Sequence, residues 1–549
     1  MNFDDVLNHI GGFGKFQKIL YVWICLPQIL LGFHMLVSIF TGAIPPHRCR
    51  APSVGLSSSP GTSEILNFSL TASSEGSDLS CSAYSPQSAP NNHNHSWPPT
   101  DNSTATSCTE GWEYSKETFQ STIVTEWDLV CDNAKLNNIG SSIYMFGLLV
   151  GAVVYGALAD KYGRRCIILL GLAVQTVFGV GAAFSPNYYV YVFLRFVIGT
   201  TISAVIMNAF VLGTEWTGTK DRMLAGVITD YFFGIGYILL AGVAYLFRDW
   251  RKLQLAISAP GFLLIFYIWV LPKSARWLLA NQRKDEAILL IRKAAADNGT
   301  TVPVDIELLQ ESNGPINSKE EKKRYTVIDL FRTPKMRIQS LILFYLWFVN
   351  ILVYYGLSLN ISDFGINIYL TQFIFGLVEM PARTITLFTL NRSRKISQFS
   401  FLTVGGMACL LTIAVPEGQT TIRTALAMAG KFGITASLSI VYIYSAEIFP
   451  TVIRQNGIGM SSMCARVGGV IAPLIYLLRA HNKEAPMVIF GVCPLVGAAL
   501  SLILPETAHT PLPDTIKDVE LPLTNQKAVF ACSTAGVRHL HLYSAKTLK

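Results

Sequence analysis

The chain has 549 residues, 51% hydrophobic and only 14% charged, with a mean hydropathy of +0.40. That is too apolar for an ordinary soluble protein, in which about 25% of residues carry charge. The net charge of +8 is no nucleic-acid footprint, because the cations fall in loops between apolar segments and not along one stripe. No Gly-x-x-x-x-Gly-Lys-(Ser/Thr) loop, metal cluster or nucleophile elbow is present, so neither an enzyme, nor ATP-driven work, nor a cofactor is expected.

Residues 1–18 are polar and lack the pattern of a cleavable leader. A spanning helix needs about 20 largely apolar residues. Twelve such segments follow, near 19–40, 137–158, 167–185, 189–213, 223–247, 253–271, 338–358, 367–390, 398–415, 422–446, 457–478 and 486–504. The reading is an all-α polytopic membrane protein in a lipid bilayer. Its two bundles cover 19–272 and 338–505, joined by a central loop at 273–337 and followed by a tail at 506–549.

The loop 41–136 after the first span holds Cys49, Cys81, Cys108 and Cys131, with sequons at Asn67, Asn94 and Asn102. Together these favour an oxidised, glycosylated extracellular loop. Three disulfide pairings are open. The central loop is dense in Lys and Arg, so the positive-inside rule puts it and both termini in the cytoplasm. Asn298-Gly-Thr then lies in the cytosol and stays unmodified.

Asp160-Lys-Tyr-Gly163-Arg164-Arg165 makes a tight hairpin after the second span, and a degraded Asn391-Arg-Ser-Arg-Lys follows the eighth. Glu215-Trp-Thr-Gly-Thr-Lys-Asp-Arg222 follows the fourth span, and Glu447-Ile-Phe-Pro-Thr-Val-Ile-Arg454 follows the tenth. Arginines alone would only obey positive-inside. The paired glutamates argue for two related six-helix halves, with substrate held between them near the midplane.

Ionisable residues inside spans are costly and mark pathways or partners. Glu379 and Arg383 sit four apart in the eighth span, Lys431 lies in the tenth and Arg466 in the eleventh. The first two can pair on one helical face. Arg466 has no acid on its own helix and needs an anion from another helix or from substrate, which its planar fork would grip bidentately. Aromatic pocket candidates are Tyr231, Phe232, Phe233, Trp347, Tyr354, Tyr355, Tyr442 and Tyr444, each of which could equally be packing core. His34 is either a pocket hydrogen-bonder or an interhelical histidine. Asn208 and Asp230 have no assigned role.

The Asp-Lys-x-Gly-Arg-Arg hairpin resembles that of the major facilitator transporters. Closer wording is similar to solute carrier family 22: Phe13-Gly-Lys-Phe-Gln17, Pro46-His-Arg-Cys49, Ser121-Thr-Ile-Val-Thr-Glu-Trp-Asp-Leu-Val-Cys131, Ala275-Arg-Trp-Leu-Leu279, Asp329-Leu-Phe-Arg-Thr-Pro334 and Glu447-Ile-Phe-Pro-Thr-Val-Ile-Arg-Gln455. The resemblance implies a plasma-membrane carrier of organic anions, cations or zwitterions working by alternating access. Cys464-Ala-Arg466-Val-Gly, the cation at Arg383 and Gly430-Lys431-Phe432 are similar to the organic anion branch. An organic cation or carnitine-like zwitterion carrier is the alternative. The anion reading implies a substrate site at Arg466, Arg383, Lys431, Tyr354, Tyr442, Phe233 and His34. It also implies urate, nicotinate, prostaglandins or dicarboxylates as substrates or exchange partners. Gating would fall to Asp160, Gly163, Arg164, Arg165, Glu215, Arg222, Glu447 and Arg454. Two departures touch the gating contacts: Lys273 stands where the family has glutamate, and Asn391-Arg-Ser-Arg lacks the hairpin glycine.

Overall fold

The computed structural model describes residues 3–50, 81–84, 105–108, 111–218, 221–302, 326–361, 367–416, 418–508, 510, 513 and 515–520. Among the described residues, twelve helices follow the apolar segments: α1 (Lys15–Leu36), α2 (Ala134–Tyr162), α3 (Arg164–Ala183), α4 (Tyr188–Trp216), α5 (Arg222–Leu246), the short α6 (Trp250–Ser258), α7 (Pro334–Leu359), α8 (Ile368–Leu390), α9 (Arg394–Ala414), α10 (Thr420–Ile448), α11 (Arg454–Ile475) and α12 (Ala485–Ser501). Among the described residues, eleven helical stretches are long and apolar enough to cross a membrane. The last, α12, has 17 residues, about 25 Å of helix, and tight turns through Leu502–Leu504 prolong it.

The sixth span is not one continuous α-helix. α6 gives way to a 3₁₀ stretch, Ala259–Phe266, before a short helical turn, Tyr267–Val270. Pro260 removes a backbone donor just where the α-helical ladder would continue.

Helices α1–α6 form one half and α7–α12 the other. They meet along α5 against α8 and α2 against α11. Within the second half, α11 lies close on α7: a Cβ at Gly468 would stand 2.4 Å from the Phe348 carbonyl oxygen. This contact fixes the face of α11 that carries Arg466.

The long loop has two small antiparallel ribbons, His47–Cys49 with Trp112–Tyr114 and Ser82–Tyr84 with Ala105–Ser107. Its cysteines join as Cys49–Cys108 and Cys81–Cys131, one of the three pairings open from sequence. The sequons Asn67, Asn94 and Asn102 lie outside the described residues. Asn298 is built into the protein: it accepts from the Phe16 N–H at 2.8 Å and donates to the Ile10 carbonyl at 2.7 Å and to Gln17 at 3.0 Å.

The segment around Ile123–Glu126 docks onto the start of α6. Trp250 Nε1 donates to Glu126 at 2.7 Å, the Arg251 guanidinium pairs with the same carboxylate, and Arg251 also donates to the carbonyls of Ala183 and Ser185. Burial alone would raise the Glu126 pKa, but the Arg251 and Trp250 hydrogen bonds and the Arg251 charge outweigh it, so the pKa lies below its ordinary value. A carboxylate depressed in the folded state contributes stability above its unfolded pKa, about 4.3 for Glu, and loses it as pH falls through the lower folded value. The amide protection factors across 121–131, corrected for the intrinsic pH dependence of exchange, are therefore expected to hold at pH 5 and to fall only below about pH 4.3. Glu126→Gln should flatten that dependence. Loss of protection already at pH 5 would count against the docking.

Candidate functional site

Four charges meet where α5, α8 and α10 converge. Lys431 Nζ lies 3.2 Å from Glu379 and 2.6 Å from Ser358 Oγ, and sits 3.0 Å above the centre of the Tyr354 ring. The Tyr354 hydroxyl donates to Glu379. One turn along α8, Arg383 holds the other Glu379 oxygen at 3.3 Å and reaches across to Asp230 on α5 at 2.5 Å. Two cations against two carboxylates leave the cluster formally neutral. Its burial is graded: the Glu379 and Lys431 side chains are fully enclosed and Arg383 nearly so, whereas Asp230 is 52% exposed.

A charge half-exposed within a span is tolerable against water and very costly against lipid. Asp230 therefore faces an aqueous cavity between the halves. Arg466 shares this region. Its electrostatic neighbours are Tyr442 and Tyr355; Tyr442 in turn feels Asp230, and Tyr355 feels both Glu379 and Arg383. Among the described residues, Arg466 donates only to the carbonyl and hydroxyl of Ser462 on its own helix. Among the described residues no carboxylate pairs with it. Tyr442, 48% exposed, packs against Trp347 with ring centres 4.3 Å apart, while Trp347 is anchored to Ser445 at 2.8 Å.

The remaining candidates sit elsewhere. Tyr354 and Lys431 are enclosed behind Glu379 in this conformation. His34 is buried within the first half, its carbonyl accepting from Arg195 at 3.0 Å and its ring against Gly179 of α3. Phe233 is partly buried in the core, its carbonyl close to Gly32 of α1. Tyr444 donates to the Pro505 carbonyl at 2.6 Å. Arg195 escaped the sequence reading, although it is an arginine inside an apolar helix just as Arg466 is. It is 3% exposed and stacks 4.2 Å above Tyr144.

At the face carrying the interhelical hairpins, each half repeats one ion pair. Arg164 bonds Glu215 at 3.4 Å and Asp160 at 3.0 Å; Arg394 bonds Glu447 at 3.1 Å. Gly163 takes φ 91°, a left-handed value that a side chain resists, and faces the Trp277 ring. Ser393 stands at the matching turn with φ −162°. It caps α9 by accepting from the Ile396 N–H and donates to Glu506. The missing glycine is thus explained: this turn uses extended backbone and a side-chain cap. Lys273, in place of the family's glutamate, pairs with Glu286 at 3.0 Å. Arg165 donates to the Ile268 carbonyl and Arg454 to that of Phe449. The Arg222 side chain lies outside the described residues.

At the opposite face, which carries the long loop, Tyr369 of α8 donates to the Thr118 carbonyl at 3.0 Å, stacks on Phe40 and meets Tyr245 of α5 edge-on.

The family model for sugar (and other) transporters matches residues 75–515. A solute carrier family 22 member 6-B from Xenopus laevis is 37% identical across 100% of both chains. The chain belongs to solute carrier family 22. This family-22 carrier is also 39% identical to human solute carrier family 22 member 13, over 94% of its own length and 93% of that protein's. It is 40% identical to an organic cation transporter protein of Drosophila melanogaster, over 95% of each. The fold is shared with the inward-open xylose transporter XylE of E. coli, at TM-score 0.56 and 15% identity over 90% of this chain and 97% of that one. Two six-helix bundles of the major facilitator type, dedicated to transport and not to catalysis, are therefore established.

Proposed function

We propose that this family-22 carrier exchanges small organic anions across the plasma membrane, with Arg466 gripping the substrate's carboxylate. The observation that carries this reading is a partly buried guanidinium on α11 that bonds to Ser462 and has no carboxylate partner among the described residues, near the half-exposed Tyr442. An uncompensated charge at such depth is costly, and a bound anion offsets that cost. Tyr442 and Trp347 would cover the apolar part of the ligand. The long loop is read as extracellular and both termini as cytoplasmic. The conformation is then inward-facing, with Tyr369 closing the outer side.

The alternative, an organic cation or zwitterion carrier, draws on the exposed carboxylate of Asp230 and on the likeness to the Drosophila protein. Arg383 already occupies that carboxylate, which weakens it as a cation site. Uptake of radiolabelled benzoate into cells expressing the carrier separates the two. Benzoate uptake that rises when the cells are preloaded with unlabelled organic anion supports exchange. Uptake of tetraethylammonium without benzoate would overturn the anion reading.

A further inference from the structure

Asp230 is the one charge of the buried cluster that the sequence left without a role. It sits on α5, in the first half, whereas Glu379, Arg383 and Lys431 all belong to the second. Lys431 is satisfied by Glu379 and Ser358 behind the cavity wall. Arg383 lies nearer the cavity and divides its guanidinium between Glu379, its own-helix neighbour, and Asp230, which comes to it from across the inter-half boundary. The Asp230 oxygen thus takes the position on Arg383 that a carboxylate entering from the cavity would need.

We propose that Asp230 is a specificity-determining residue that sets the charge of the transported anion at one. With Asp230 in place the cluster of four is neutral, and Arg466 is the cation left for a ligand. A monocarboxylate matches that single charge. A dicarboxylate brings a second charge, which must either go unpaired once the halves close around the ligand and expel water, or compete with a tethered carboxylate already seated on Arg383. Neither is favourable. Removing the Asp230 charge frees one face of Arg383, so the site presents two cations, one on α8 and one on α11, to the two ends of a dianion. A merely structural Asp230 would lower uptake of both anion classes together; a residue that sets valence moves their ratio.

The assignment rests on the anion reading above, and the test separates the two. Benzoate and glutarate uptake are measured at pH 7.4 in cells expressing the full chain, each normalised to surface-labelled protein. The wild type is expected to take benzoate in preference to glutarate. Asp230→Asn is expected to raise the glutarate-to-benzoate ratio tenfold or more. Asp230→Glu, which keeps the charge, should give a ratio nearer the wild type than Asp230→Asn. An unchanged ratio in Asp230→Asn, with benzoate uptake intact, overturns the valence assignment and leaves the anion reading standing. Uptake of tetraethylammonium alone overturns both. If Asp230→Asn fails to reach the surface, Asp230→Ser replaces it. The wild-type comparison also stands by itself: a native carrier that prefers glutarate contradicts the proposal.

Discussion

Arg466→Ala is expected to reduce benzoate uptake per surface molecule about 100-fold at substrate concentrations well below saturation, with little effect on surface abundance. Hydrogen bonds to charged groups contribute roughly 1.5–3 kcal/mol each. A bidentate grip on a carboxylate, partly offset by desolvation, is therefore about 3 kcal/mol, or two decades in affinity. Folding should survive because, among the described residues, the hydrogen bonds and ion pairs of Arg466 go only to Ser462, one turn away on its own helix. Arg466→Lys should recover about one of those decades: an ammonium keeps the charge and loses the planar fork. Benzoate uptake unaltered in Arg466→Ala at matched surface expression would make the arginine structural and move the substrate site elsewhere.

Glu379→Ala is expected to act in the opposite way, on the fold before the substrate. Glu379 is the shared acceptor for Lys431, Arg383 and Tyr354. Removing it leaves an enclosed ammonium with no carboxylate partner among the described residues, and a nearly enclosed guanidinium held by Asp230 alone. Breaking a buried pair from one side costs about 3–5 kcal/mol, enough to retain most of the protein inside the cell. The pair itself need not be a net gain over an apolar core. Glu379→Gln combined with Lys431→Met removes one charge of each sign and should restore much of the surface expression that Glu379→Ala loses. Surface labelling of the two variants side by side checks this. Normal abundance of Glu379→Ala would mean that the cluster is wetter than its burial implies.

The spans were legible because hydrophobic length is a local property of the chain. The hairpin charges and the twin glutamates were legible because they repeat at matched places in the two halves. Which side of an apolar helix faces the cavity was not. α1 is apolar nearly all round, so nothing local placed His34 against α3 and away from substrate. The same gap hid the enclosure of Tyr354 and Lys431 behind Glu379. Asp230 was visible as an anomaly, but its partner belongs to the other half, and only the packing of α5 on α8 brings them together. Arg195 needed no structure: the rule that singled out Arg466 applies equally to it.

The docked loop has a consequence for how the carrier could be watched at work. Glu126, through Trp250 and Arg251, and the backbone bonds between Gln120 and Arg248 and between Ser121 and Trp250 tie residues 120–126 to the first half. The Thr118 carbonyl just upstream is held by Tyr369 of the other half. If that face opens, the Tyr369 bond must break while the bonds to Arg248 and Trp250 can hold, so the residues around Thr118 would change neighbours. A binder raised against the undocked stretch would hold one state of the carrier, and a fluorophore at Lys116 would report turnover without touching the substrate path.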